Sequence, residues 1–119
     1  MTNNQVAALL GISALLAAGQ TLFKVAALKL KGAGEASADM LALALIPSFW
    51  LALVLYGLGT LLWIYILQTV PLSRAYPFMA LAFVMVPLLA VAFFAERLNL
   101  TYIIGALLIV AGVVVTARA

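Results

Sequence analysis

Cysteine and histidine are both absent from this chain of 119 residues, and only 8% of it is charged. Without thiols there is no disulfide and no thiolate chemistry, and without imidazole there is neither a histidine metal site nor Ser-His-Asp hydrolysis. Three acidic residues offer no second buried carboxylate, so paired acid–base catalysis is excluded as well. An enzyme, a metal site and a bound cofactor are therefore not expected. The six basic residues are spread over chain ends and loops without a cluster, which gives nucleic-acid binding no support. What the chain has instead is oil: 69% of its residues are hydrophobic and the mean hydropathy is +1.33, where a soluble domain carries about 25% charged residues. The sequence is that of an integral membrane protein with room for one compact unit. Its first apolar run lacks a cationic start and a convincing cleavage site, and is expected to be a retained span rather than a signal peptide.

A spanning helix needs about 20 mostly apolar residues. Four segments qualify, at about 6–28, 43–67, 72–95 and 100–116, which predicts an all-α membrane fold of four transmembrane helices in a single domain, 1–119. The most polar interruption between the two longest apolar runs is Gln68 to Pro77, which holds two of the four prolines. It reads as the hinge into a central helix, with Pro71 in that helix's first turn and Pro77 inside it, favouring a bend. A carbonyl freed there must find a partner within the protein. The longest loop, Gly32 to Asp39, has turn chemistry, and Asp39 suits the positive end of the second helix. Pro47 falls in that helix's first turns, and Trp50 is placed as an interfacial anchor. Leu98 to Thr101 is a short link, so the third and fourth helices are expected to be antiparallel neighbours.

Small residues mark two helices. Gly11, Ala14, Ala17, Ala18 and Gly19 allow close packing of the first, and Gly105, Gly112 and Thr116 form a stripe on the fourth that suits contact within the chain or across a dimer. Lys29, Lys31 and Arg97 lie on the side of the first and third loops, Arg74 and Arg118 on the other. That three-to-two bias points the first-loop side to the cytoplasm and fixes neither a single nor a dual topology.

Few groups remain to carry chemistry. Lys24 lies roughly one turn inside the end of the first helix, and Gln20, four residues earlier on the same face, about 6 Å deeper. An ammonium at that depth snorkels, pairs or meets water, so Lys24 is either an interfacial lysine or an anion-binding group at the mouth of a polar crevice. Counting the crossings brings Glu96 to the same membrane face, where it either ends a helix in solvent or pairs with Lys24 and exchanges it for a substrate cation or a proton. Arg74 and Tyr76 belong to the opposite face; Arg74 is a topology anchor or a phosphate contact. Tyr56, Trp63, Tyr65 and Tyr76 are belt and packing residues or stacking surfaces for a sugar or lipid.

The segments Ala18-Gly19-Gln20-Thr21-Leu22-Phe23-Lys24 and Leu67-Gln68-Thr69-Val70-Pro71-Leu72-Ser73-Arg74-Ala75-Tyr76-Pro77, with Glu96 after the third helix, resemble the four-helix subunits of the aminoarabinose–undecaprenyl-phosphate flippase. Those subunits sit in the drug/metabolite transporter superfamily beside the small multidrug resistance and EamA-type proteins. The resemblance spans nearly the whole chain. It implies a dimer or heterodimer that moves a polyprenyl-phosphate-linked sugar across the bacterial inner membrane as a multi-pass protein among membrane lipids. Position by position, Gln20, Lys24, Tyr76 and Glu96 match its motifs, and Arg74 joins them as an expected substrate contact. Two departures are visible: the first helix lacks the mid-helix glutamate of small multidrug pumps, and Arg97 stands where flippase subunits often have proline. The alternatives carried forward are a small-cation or metabolite exporter driven through Glu96, and a non-transporting subunit of a membrane complex.

Overall fold

The computed structural model describes residues 2–32 and 40–119, so the expectations for the loop at 33–39, including Asp39, lie outside the described residues. Along the chain run α1 (Asn3–Gly32), α2 (Met40–Leu43), α3 (Pro47–Leu67), α4 (Leu72–Met79), α5 (Ala82–Phe94) and α6 (Leu100–Arg118). Among the described residues there is no strand. With α4 and α5 taken together, four stretches of 30, 21, 23 and 19 residues are long and apolar enough to cross a bilayer. The fold is a four-helix membrane bundle.

Its centre is α1, which packs against α2, α3, α4 and α5, while α6 leans on α4 and α5. The helix that follows the hinge is thus not the central one, contrary to the sequence expectation. The reason is side-chain size. Ala17, Gly19 and Ala26 on α1 and Ala52 and Gly59 on α3 are buried, and with so little bulk between them the two backbones draw together. A Cβ on Gly59 would come 3.1 Å from a methyl of Leu16. The third and fourth spans are lined with larger side chains and bury far less of themselves, 6% of their most apolar windows against 28% for α1.

The core gathers at one end of the bundle, where Leu9, Ile12, Ile66, Val70, Ala75, Phe78 and Val113 meet. Polar ties close the same end: Gln5 Nε2 donates to Thr69 Oγ1 at 3.1 Å, and an Arg74 guanidinium nitrogen donates to the Ala119 carbonyl at 2.7 Å. Among the described residues nothing comparable seals the other end.

Pro71 stands at the N-cap of α4, one place before the first turn. Its ψ of 141° keeps it extended while its carbonyl already receives the N–H groups of Arg74 and Ala75, each at 3.0 Å. Pro77 removes only the bond that the Ser73 carbonyl would have accepted, and α4 continues through it to Met79. The interruption comes at Ala80 and Leu81, beyond the expected bend. There the ladder tightens to i→i+3 bonds, Ala80 N–H to the Pro77 carbonyl at 3.0 Å and Leu81 N–H to the Phe78 carbonyl at 3.1 Å. The Phe78 carbonyl takes a second bond from the fully buried Ser13 hydroxyl on α1, at 2.8 Å. A polar break in an apolar span is thereby bonded within the protein.

At the open end, α5 stops at Ala95, a left-handed residue with φ 52° and ψ 30°. The N–H groups of Ala95 and Glu96 both turn back to the Ala90 carbonyl. This reversal turns the backbone at Glu96 back over the last turn of α5. Asn99 then caps α6, its side-chain oxygen accepting the Tyr102 N–H at 2.8 Å.

Candidate functional site

On α1, Gln20, Phe23, Lys24 and Ala27 recur at spacings of three and four and so form one stripe. Opposite them stand Val86, Ala90 and Phe94 of α5, with Glu96 just past its end. Together these side chains border an open cavity of about 420 Å³. Lys24 and Glu96 are the charged residues lining it, and no ion pair joins them among the described residues. Both are exposed. Thr21, also in the wall, spends its hydroxyl on the Ala17 carbonyl at 3.0 Å and so offers the cavity little polarity.

Gln20 is held from the side. Its Nε2 donates to the Tyr56 hydroxyl on α3, and the Tyr56 ring lies 5.3 Å from that of Phe23 at an interplanar angle of 45°. The ring reaches this place because Gly19 has no side chain: a Cβ there would come 2.6 Å from two of its carbons. Tyr56 is thus the positioning residue of the site. Sequence reasoning placed it only among four aromatic candidates, since nothing in the spacing couples α1 at position 20 to α3 at position 56.

The structure brings Gln20, Lys24 and Glu96 to one cavity and places Arg74 and Tyr76 at the other end of the bundle. Arg74 is engaged with the end of α6. Tyr76 is 65% exposed and meets Trp63 edge-on, with ring centroids 6.4 Å apart. On the far flank of α5, Ala18, Leu22, Val25, Leu89 and Phe93 border an apolar groove of about 520 Å³, with Thr21 and Phe94 common to both openings.

Chemically the cavity presents a cation, an anion and an amide at the edge of a membrane-embedded helix pair, all open to the side. Opposite charges that share a cavity without pairing are both left to meet a ligand or water. What the set offers a ligand is charge of both signs and an amide hydrogen bond.

The profile of the EamA-like transporter family matches residues 5–118. Among curated proteins, the chain is 49% identical over 72 residues to the probable 4-amino-4-deoxy-L-arabinose-phosphoundecaprenol flippase subunit ArnE of Pseudomonas aeruginosa strain UCBPP-PA14, a match covering 60% of this chain and 63% of that one. Proteins of the same description from Enterobacter sp. strain 638 and Sodalis glossinidius are 43% identical over 72 residues and 41% identical over 102. The first of these covers 59% of this chain and 67% of the relative, the second 86% of each. The chain thus spans about 63% of the length of the first relatives it matches. No solved structure matches it.

Proposed function

The chain belongs to the EamA-like transporter family, and we propose that it is one subunit of a flippase that carries a polyprenyl-phosphate-linked amino sugar across the membrane. Four spans and that family make it a multi-pass inner-membrane protein. The relatives are named as flippase subunits, not enzymes. The observation that carries the reading is the shared cavity of Gln20, Lys24 and Glu96, in which the two charges are left free for a ligand. Lys24 neutralises the lipid phosphate, Gln20 hydrogen-bonds the sugar from the position Tyr56 gives it, and Glu96 receives the sugar's ammonium. Glycosyl-phosphate and amine are both present in the compound for which the relatives are named. The polyprenyl tail stays in the hydrocarbon beside the open flank. Arg74 and Tyr76, at the opposite end, are contacts for the head group on the other membrane face.

Four helices that leave one flank open do not enclose a path by themselves. The partner is a second four-helix subunit, the same chain or a similar one, seated on α6. On α6 a Cβ at Gly105 or Gly112 would meet nothing within 4 Å among the described residues, so both positions leave room for a close helix contact.

The test is a vesicle assay that follows a polyprenyl-phosphate amino sugar in both leaflets, comparing the native chain with Lys24→Ala. Loss of translocation in Lys24→Ala is expected; equal rates would remove the anion site. A cation exporter working through Glu96 predicts the reverse, that Lys24→Ala spares or favours transport.

A further inference from the structure

Flipping requires the head group to leave the outer cavity and cross hydrocarbon, and a second cavity lies directly beyond it. Gln20 and Val86 belong to both. The second cavity, of about 280 Å³, is completed by Ala82, Phe83, Pro87 and Tyr102, so it lies where α1, α5 and α6 converge. No charged side chain lines it. Its wall is mostly apolar, but besides Gln20 two of its lining residues have hydrogen-bonding capacity to offer. Pro87 lies inside α5 and has no N–H, so the Phe83 carbonyl loses the donor it would have had four residues on. The Tyr102 hydroxyl makes no hydrogen bond among the described residues, although the Tyr102 backbone is fixed by the Asn99 cap. Phe83 and Tyr102 continue into a further small cavity with Gly105, Ala106 and Ile109, so the series extends along the α5–α6 seam.

We propose that the cavity bounded by Gln20, Phe83, Pro87 and Tyr102 is a transit station for the uncharged, hydroxyl-bearing part of the head group, one step deeper than the cavity of Lys24 and Glu96. This rests on the flippase reading given above. A sugar ring brings hydroxyls that both donate and accept. A ring hydroxyl donates a hydrogen bond to the Phe83 carbonyl in place of the N–H that Pro87 lacks, another exchanges a bond with the Tyr102 hydroxyl, and the ring keeps the Gln20 amide as it passes from one cavity to the next. The lack of charge is what suits the place to transit: a neutral station holds the head weakly enough to release it, whereas a second ammonium would trap the phosphate. Tyr102 becomes a substrate contact that no spacing rule singles out, and the proline of α5 gains a role beyond bending, that of leaving one acceptor open to the cavity.

The test uses inverted membrane vesicles from cells expressing the full chain and a radiolabelled polyprenyl-phosphate amino sugar, whose amine is trapped by a membrane-impermeant reagent. Tyr102→Phe deletes one hydroxyl and keeps the ring. It is expected to slow translocation about tenfold, the order of one hydrogen bond lost on the path, while equilibrium binding of the lipid stays within about twofold. Pro87→Ala restores the N–H that closes the Phe83 carbonyl; it is expected to raise the unfolding temperature and yet slow translocation. A destabilised fold would move those two readings the same way, so the opposite signs separate function from structure. Wild-type rates in either variant, with Lys24→Ala inactive, overturn the station alone. A parallel loss of binding and rate in Tyr102→Phe also overturns it, since Tyr102 would then belong to the outer cavity. Full activity in Lys24→Ala overturns the flippase reading beneath it.

Discussion

Gly19 and Tyr56 lie so close that a Cβ on the glycine would stand 2.6 Å from two carbons of the ring. The same ring carries the hydroxyl that receives the Gln20 amide, so the absence of one methyl group on α1 decides where a candidate substrate contact points. Gly19→Ala is therefore expected to push Tyr56 aside, break its bond to Gln20 and destabilise the bundle by about 1–3 kcal/mol, the usual cost of overpacking a tight seam. Gly11→Ala, on the same helix with nothing within 4 Å of the new methyl, should be neutral or stabilising by up to about 1 kcal/mol. Thermal unfolding of the purified variants in detergent reads both. Equal behaviour of the two alanines would show that the α1–α3 seam has slack.

Much of this arrangement is legible in the sequence, and the limits are physical. Hydrophobic runs announce four spans because a bilayer demands some 20 apolar residues, and small residues on the first helix announce a close neighbour. Neither signal names the neighbour. In a soluble protein, an apolar stripe separates inside from outside; here every face of α3, α5 and α6 is apolar, and periodicity loses that meaning. Hence the centrality of α1 and the coupling of Gln20 to Tyr56 emerge only from the packing. Gln20, Lys24 and Glu96 were accessible because each is a polar exception in an oily background, and counting crossings puts Lys24 and Glu96 on one face. Tyr102 was not, since an aromatic two residues past a helix start reads as interfacial belt. The break at Ala80–Leu81 was displaced from Pro77 because proline deletes a bond one turn behind itself, while the place where the ladder tightens depends on a hydroxyl 65 residues away.

That hydroxyl carries the second prediction. Ser13 is fully buried and gives the Phe78 carbonyl its interhelical bond. Ser13→Ala keeps the packing volume nearly unchanged and removes only the donor. A loss of about 0.5–1.5 kcal/mol is expected, in keeping with single hydrogen bonds between membrane helices. The loss should be local as well as global: amide exchange should quicken around residues 78–82, where the i→i+3 turn would stand without support, and remain slow in the middle of α3. Unchanged exchange at the break would mean that the turn is held by its own backbone bonds.

Ala95 offers a change of the opposite sign. It is the one non-glycine residue with positive φ among the described residues, and an L side chain in the left-handed region costs about 1–2 kcal/mol. Ala95→Gly removes that strain and is expected to raise stability by about 1 kcal/mol, partly offset by the extra freedom of glycine in the unfolded chain. Because the cap also turns the backbone at Glu96 back over α5, the gain should come without loss of substrate binding. A drop in stability would show that the φ of 52° is not maintained in the membrane.

Glu96 itself separates two kinds of head group. It lines the outer cavity with Lys24, and in the proposed function the two charges divide the substrate between them, the ammonium of Lys24 meeting phosphate and the carboxylate of Glu96 meeting the sugar's amine. Glu96→Gln keeps the shape and a hydrogen-bonding oxygen but removes the negative charge. Hydrogen bonds between charged groups are worth about 1.5–3 kcal/mol, so the variant is expected to bind the amino-sugar lipid at least about tenfold more weakly. A polyprenyl-phosphate sugar without an amine has no use for that charge, and its binding should be unchanged or slightly improved, because the remaining Lys24 then meets phosphate without a competing carboxylate nearby. Lys24→Ala should weaken both lipids alike. Measuring the four combinations of variant and lipid by competition binding in nanodiscs gives the coupling directly, and equal losses of the two lipids in Glu96→Gln would show that the carboxylate does not read the amine.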